Sequence, residues 1–225
     1  MKTIRTLLAD DHTIVREGLR ALLAVDPGIE VVAEAHNGRE AVDLTRLHKP
    51  EVVVMDIAMP ILNGIEAARQ IRALSPSPKI IILSAHCDDA YIDRVIEMGA
   101  AGFLVKQTSA QILAKTIKLV AAGETFYSPS VAKRVDSHYR KQGQPNGGIT
   151  LKPNALTVRE QEVIQLVAEG QANKQVASAL KISIKTVEKH RQNLMDKLAI
   201  HDTAGLTRYA IAHGIIESSV QVTIV

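Results

Sequence analysis

The chain is 225 residues long, 46% hydrophobic and 23% charged, with a formal net charge of +3 and one cysteine, Cys87. A single cysteine excludes an internal disulfide and suits a reducing compartment, and no apolar run reaches the ~18 residues that a membrane-spanning helix needs. Met1-Lys2-Thr3-Ile4-Arg5 leads directly into an apolar run with no visible signal peptide, so a cytoplasmic chain is expected.

Thr6-Leu7-Leu8-Ala9 reads as a first strand, after which Val15, Leu19, Leu22 and Leu23 recur at helical spacing. Glu30-Val31-Val32-Ala33-Glu34-Ala35 makes a second strand, followed by a helix carrying Ala41, Leu44 and Leu47. Val52-Val53-Val54-Met55, Ile80-Ile81-Ile82-Leu83 and Gly102-Phe103-Leu104-Val105 are apolar throughout or nearly so, as strands covered on both faces read. Between them lie helical patterns at Ile65, Ala68 and Ile71 and at Val95, Ile96 and Met98. This alternation predicts an α/β domain over residues 1–122, with a five-stranded, parallel, doubly wound sheet of the flavodoxin-like type.

Four of the five strand ends carry a polar signal: Asp10-Asp11, Asp56, Ser84 and Lys106 follow their apolar runs directly. In a doubly wound sheet, residues just past the carboxyl ends of the strands share one crevice. Three carboxylates there repel one another unless a cation sits among them, and hard oxygen ligands suit Mg²⁺. With the ion and Lys106 counted, the charges balance, and a carboxylate so held can attack a phosphoryl group. Asp56, alone at the end of its strand, is the nucleophile candidate; Asp10 and Asp11 are the metal holders, and Ser84 and Lys106 can donate to the new oxygens. Singly, each signal reads as a loop cap, and Phe103 as core; together and in register they read as a site. His12 and His86 are expected to be loop or helix-start residues, and Cys87 an unreactive thiol.

From Gly123 to Ala155 the composition changes. Ser130 to Tyr139 permits a short helix, and Gln142 to Pro153 is rich in Gly and Pro, so 123–155 is read as a linker. Charge divides nearby: residues 1–132 hold 14 Lys+Arg against 16 Asp+Glu, and 133–225 hold 13 against 8. The halves are thus −2 and +5, and the basic half is expected to meet a polyanion.

Residues 156–217 predict a small all-α domain of four helices, with 218–225 as a tail expected to fray, although its alternating residues permit an edge strand. Thr157-Val158-Arg159-Glu160 has the capping-box pattern, Val163, Ile164, Leu166 and Val167 supply a buried face, and Gly170 ends the helix. A second helix starts from Asn173 as N-cap and carries Val176, Ala177 and Leu180. After a short turn, Ser183 caps a third, the arrangement of a helix-turn-helix. On that third helix Ile184, Val187, Leu194, Met195 and Leu198 share one face. Lys185, Lys189, Gln192 and Asn193 share the other and suit a recognition helix in double-stranded DNA. Asp196 lies near its far end, so the N-terminal turns are the ones expected in the groove.

The stretch Asp56-Ile57-Ala58-Met59-Pro60-Ile61-Leu62-Asn63-Gly64, with Asp10-Asp11, Ser84-Ala85 and Phe103-Leu104-Val105-Lys106 in order and spacing, resembles the receiver domain of two-component response regulators. Residues 156–213 resemble the LuxR-type output domain at Leu156-Thr157-Val158-Arg159-Glu160, Asn173-Lys174-Gln175-Val176-Ala177 and Lys185-Thr186-Val187-Glu188-Lys189-His190. The order of the two resembles the NarL/FixJ family along almost the full chain. The resemblance implies that Asp56 accepts phosphate from a sensor histidine kinase, that Asp10 and Asp11 hold Mg²⁺ with Asp56, that Lys106 and Ser84 contact the phosphoryl group, and that Phe103 is a switch aromatic. Gln107 stands where many receivers have proline. It further implies base contacts from Glu188, Lys189 and Gln192, phosphate contacts from Lys185, Thr186 and Lys174, and a homodimer on phosphorylation through the last helix at Thr203, Ala204, Arg208 and Tyr209.

Beyond self-phosphorylation and slow autodephosphorylation of Asp56, no enzymatic turnover is expected. Phosphatases that use an Asp nucleophile have a second Asp two residues later, and here that position is Ala58. A phosphorylation-independent dimeric regulator is the other alternative, but no acidic residue of the pocket, nor its lysine, is lost.

Overall fold

The structure, a computed structural model, describes residues 3–85, 89–106, 108, 110–128, 131, 132, 135 and 156–216. It falls into two units, Met1–Thr150 and Leu151–Val225.

The apolar runs become strands because both faces of each are covered. Strands β1 (Ile4–Ala9), β2 (Ile29–Ala35), β3 (Val52–Asp56), β4 (Lys79–Ser84) and β5 (Gly102–Val105) pair in parallel in the order β2-β1-β3-β4-β5. The period of two sorts their side chains. Leu7, Val53, Met55, Ile80, Ile82 and Phe103 meet α2 (Gly38–His48), α3 (Gly64–Arg72) and α4 (Asp89–Met98) on one face. Leu8, Val52, Val54, Ile81, Leu83 and Leu104 meet α1 (Thr13–Leu23) and α5 (Ala110–Ala121) on the other. The chain leaves β1 for β2 on one side and returns to β3 on the other, so the switch point of the sheet opens at the ends of β1 and β3.

The five expected strands are all present, and the sheet has one more at its edge. A sixth, β6 (Phe126–Tyr127), pairs in parallel with β5, with Gly102 opposite Phe126 and Phe103 opposite Tyr127. The Tyr127 hydroxyl donates to the Ala100 carbonyl at 2.9 Å, and Val131 and Val135 are buried in the same core. Two strand residues are too few to leave a periodic signal, so this sheet edge, past residue 122, reads as linker in the sequence. Of the short helix expected over 130–139 only Val131, Ala132 and Val135 are described; the 142–153 stretch, the 218–225 tail, His86, Cys87 and Gln107 lie outside the described residues.

Two glycines are dictated by close approach. A Cβ on Gly64 would lie 1.8 Å from the Asp56 carbonyl oxygen, and one on Gly38 would lie 2.1 Å from that of Leu62. In the same β3–α3 loop Ile61 has φ +69, a conformation a β-branched side chain opposes. Ile61→Asn is expected to stabilise the chain by about 1 kcal/mol, since asparagine tolerates this region; an unchanged or lower urea midpoint for the full chain would refute this.

In the second unit, Thr157 caps α6 (Val158–Ala168) by a reciprocal box: its Oγ1 accepts from the Glu160 N–H at 3.3 Å, and the Thr157 N–H donates to Glu160 Oε2 at 2.8 Å. Then follow α7 (Asn173–Leu180), α8 (Ile184–Leu198), capped by Ser183, and α9 (Thr203–Ala212), capped by Asp202. Their core is Val163, Ile164, Val176, Leu180, Val187, Leu194, Leu206 and Ala210. Two expectations change. Ala172, not Asn173, precedes α7, its N–H held by Gln175 Oε1 at 2.8 Å, because the Asn173 side chain is engaged by Arg191. Ile184 is 46% exposed, since the first residue of a helix has no preceding turn to cover it.

Glu160 also accepts from Lys197 Nζ at 2.7 Å, and although burial pushes its carboxyl up, that ammonium and the Thr157 N–H hold it below the usual range. Glu160→Ala is expected to cost about 2 kcal/mol by removing the cap and leaving Lys197 without this partner. Because the folded state lowers this carboxyl, its contribution is present at neutral pH and is lost as pH falls below the ordinary 4.5. Thermal unfolding at pH 7 measures the loss, and an unaltered midpoint would contradict it.

Candidate functional site

The switch point gathers the strand-end residues. Asp10 follows β1, and its N–H donates to the Ala35 carbonyl at 3.1 Å, while its Oδ1 accepts from the His12 N–H at 2.9 Å. Asp56 ends β3, with Oδ1 accepting from the Ile57 N–H at 2.8 Å. Lys106 reaches in from the end of β5, its Nζ 2.7 Å from Asp56 Oδ2 and 2.8 Å from Asp10 Oδ2. Its backbone N–H donates to the carbonyl of Ser84, the last residue of β4. Asp10, Asp56 and Ser84 are all at most 3% exposed.

One ligand atom from each of Asp10, Asp11, His12 and Asp56 lies within 4.8 Å of the others. Three carboxylates against one ammonium leave the pocket formally at −2. Burial pushes the Asp56 carboxyl up to about 6, against the pull of Lys106 and with a smaller push from the charge of Asp10. Burial alone would lower the Lys106 ammonium, but its bonds to Asp10 and Asp56 raise it instead. A hard divalent cation at the three carboxylates would supply the missing charge, so the donor set is compatible with Mg²⁺.

His12 is more than a helix-start residue. It precedes α1, and its Nδ1 lies 2.8 Å from Asp11 Oδ1, which joins it to the acidic cluster. Phe103 is fully buried on the core face of β5, beside Ile82 and Tyr127. Arg16, buried with its Nη1 donating to the Asp10 carbonyl at 2.7 Å, left no mark in the sequence; an arginine within a helical apolar pattern reads as a solvated side chain.

In the second unit, Lys174, Lys185, Glu188, Lys189 and Gln192 are exposed and Thr186 is half-buried. Thr186 belongs to the start of α8, its N–H donating to Ser183 Oγ and the two hydroxyls 2.8 Å apart. Gln192 Nε2 donates to Asp196 Oδ1 at 2.8 Å. Arg191, another residue the sequence reading missed, joins three helices: it donates to Asn173 Oδ1 at 3.1 Å and to Thr203 Oγ1 at 2.6 Å. On α9, Thr203, Ala204 and Arg208 are exposed, whereas Leu206 and Ala210 are core. The Tyr209 ring stacks on His213 at 3.8 Å. Arg208 and Tyr209 line an open groove of about 460 Å³ with His201 and Asp202. Among the described residues no helix is long and apolar enough to cross a membrane.

The model of the response regulator receiver domain matches residues 6–118, and that of the LuxR family of bacterial regulatory proteins matches 154–210. The transcriptional regulatory protein LiaR of Bacillus subtilis (strain 168) is 41% identical over 207 residues, covering 92% of this chain and 96% of its own. The transcriptional regulatory protein DegU of Brevibacillus brevis is 36% identical over 222 residues, covering 94% of each. Among solved structures, the complex of the response regulator RcsB with DNA has a TM-score of 0.57 and 26% identity, covering 94% of this chain and 99% of that one.

Proposed function

The chain belongs to the two-component response regulators that join a receiver to a LuxR-type DNA-binding domain and regulate transcription, and from that premise we propose that phosphorylation of Asp56 switches it from monomer to DNA-binding dimer. The observation that supports the proposal is Lys106 Nζ within 2.8 Å of both Asp56 and Asp10 at one strand-end crevice. In this reading Asp10, Asp11 and Asp56 hold Mg²⁺, which supplies charge neutralisation for the incoming phosphoryl oxygens.

The donor is a sensor histidine kinase. Asp56 Oδ attacks its phosphohistidine, the new O–P bond forms as the N–P bond breaks, and the imidazole nitrogen leaves with the electron pair. The acyl phosphate carries more charge than the carboxylate it replaces, and Lys106 and Ser84 are the donors that meet it. Drawn toward the phosphoryl group, they move the ends of β4 and β5, and Phe103 follows. In the phosphorylated chain the output domain dimerises through Thr203, Ala204, Arg208 and Tyr209 and binds double-stranded DNA in the cytoplasm. Its domains in this reading are the receiver, 1–122, a linker, 123–155, and the output domain, 156–217.

On the DNA, Lys189, Gln192 and Glu188 read base edges, while Lys185, Thr186 and Lys174 meet phosphates. Lys185→Ala is expected to weaken binding equally across sequences and to reduce the salt slope by about 1, whereas Gln192→Ala relaxes preference at one base pair. Fluorescence anisotropy with DNA fragments, with and without beryllofluoride, tests the proposal. Affinity that rises with the phosphoryl mimic in wild type but not in Asp56→Asn supports it, and a wild type that does not respond, or the same rise in Asp56→Asn, refutes it.

A further inference from the structure

Arg16 is a cation only 3% exposed that the chemistry above does not use. Its Nη1 donates to the backbone carbonyl of Asp10 at 2.7 Å, in a buried bond. Its Nε lies 3.4 Å from Glu34 Oε2 on β2, and Glu34 is in turn 3.3 Å from Arg20 Nε. Taking a guanidinium out of water is unfavourable unless pairing and hydrogen bonds compensate, and an apolar residue at this helical position would escape that penalty. What the buried fork touches is therefore informative.

The carbonyl it binds belongs to the peptide joining Asp10 to Asp11, so its direction sets ψ of Asp10 and φ of Asp11 together. Both carboxylates branch from the two ends of that peptide, and a rotation of the plane would move them relative to each other. The N–H of Asp10 is already fixed by Ala35, also on β2. Strand β2 thus holds Asp10 twice, once directly and once through Glu34 and Arg16.

We infer that Arg16, aimed by Glu34, is a positioning residue for the acidic pocket: it fixes the Asp10–Asp11 peptide and so sets the spacing of the carboxylates that receive Mg²⁺. This rests on reading the pocket as an Mg²⁺ site. Groups that orient metal ligands from behind typically change affinity 10–100-fold when removed, and lysine, a point charge on a flexible stem, replaces the planar fork poorly.

The test uses the full chain as wild type, Arg16→Met, Arg16→Lys and Glu34→Gln. Calorimetric titration with MgCl₂ is expected to show affinity lower by about tenfold or more in Arg16→Met, with Arg16→Lys and Glu34→Gln in between. Phosphoryl uptake from acetyl phosphate, followed against Mg²⁺ concentration, should show the half-saturating concentration rising in the same ratio, while the rate at saturating Mg²⁺ stays within about threefold. General loosening of the fold would not produce that split. Wild-type Mg²⁺ affinity in the variants, or a rate at saturation that collapses with no change in half-saturation, overturns the inference and leaves the pocket reading intact. If Arg16→Met does not fold, Arg16→Lys and Glu34→Gln decide by the same two readings. A wild type that takes up neither Mg²⁺ nor phosphoryl group removes both.

Discussion

Asp56→Asn is expected to abolish phosphoryl uptake and, in the same protein without Mg²⁺, to raise stability at pH 7 by about 2 to 3 kcal/mol. The first effect follows, in the proposed function, from losing the carboxylate that accepts the phosphoryl group beside Lys106. The second follows from the Asp56 carboxyl, pushed up to about 6 by burial against an ordinary 3.8. A carboxyl raised on folding binds its proton more tightly in the native state. Below pH 3.8 it is protonated in both states and nothing is lost; between 3.8 and about 6 stability falls; above 6 the full penalty of a buried charge remains. Asparagine carries no charge, so the variant should lack that slope. Urea unfolding of metal-free protein at pH 4 and pH 7 measures it, and parallel losses in wild type and variant would contradict the account. Excess Mg²⁺ should narrow the difference at pH 7, since binding to the native state stabilises wild type more.

Lys106→Met is expected to cost about 3 to 5 kcal/mol in Mg²⁺-free buffer at pH 8, the loss typical of breaking a buried ion pair by removing one partner. Lys106 is the cation bonded to both Asp10 and Asp56, each almost fully buried, and methionine would leave two carboxylates facing each other. The cost should shrink at pH 5, where Asp56 takes up a proton, and shrink again with Mg²⁺. A loss that is the same at both pH values would mean that packing of the lysine stem, not charge, is what the pocket needs. The variant should also show no dimerisation with beryllofluoride even where Mg²⁺ restores its fold.

The centre of the site was legible because four of the strands, β1, β3, β4 and β5, are short, largely apolar and stopped by a polar residue of particular chemistry. Asp10, Asp11, Asp56, Ser84 and Lys106 all mark strand ends, and a doubly wound sheet has one place to gather them. What escaped the sequence acts through single contacts with no period. Arg16 and Arg191 sit inside helical patterns, and only the fold shows one bonded to the Asp10 carbonyl and the other to Asn173 and Thr203. Strand β6 escaped for a related reason: Phe126 and Tyr127 stand alone among polar residues, and their place is set by the free edge of β5 rather than by any local preference. Ile184 shows the limit of helical periodicity, which assigns a face but not whether anything covers the end of that face.

The central claim, that phosphorylation of Asp56 assembles the dimer, is tested most directly by molecular mass in solution. Light scattering on the full chain with Mg²⁺ alone, then with beryllofluoride, and on Asp56→Asn in both conditions, gives the answer. The account predicts a monomer that becomes a dimer only in wild type with the phosphoryl mimic. Equal mass in every condition, whether monomer or dimer throughout, would contradict it, and a constant dimer would favour a regulator that works without phosphate.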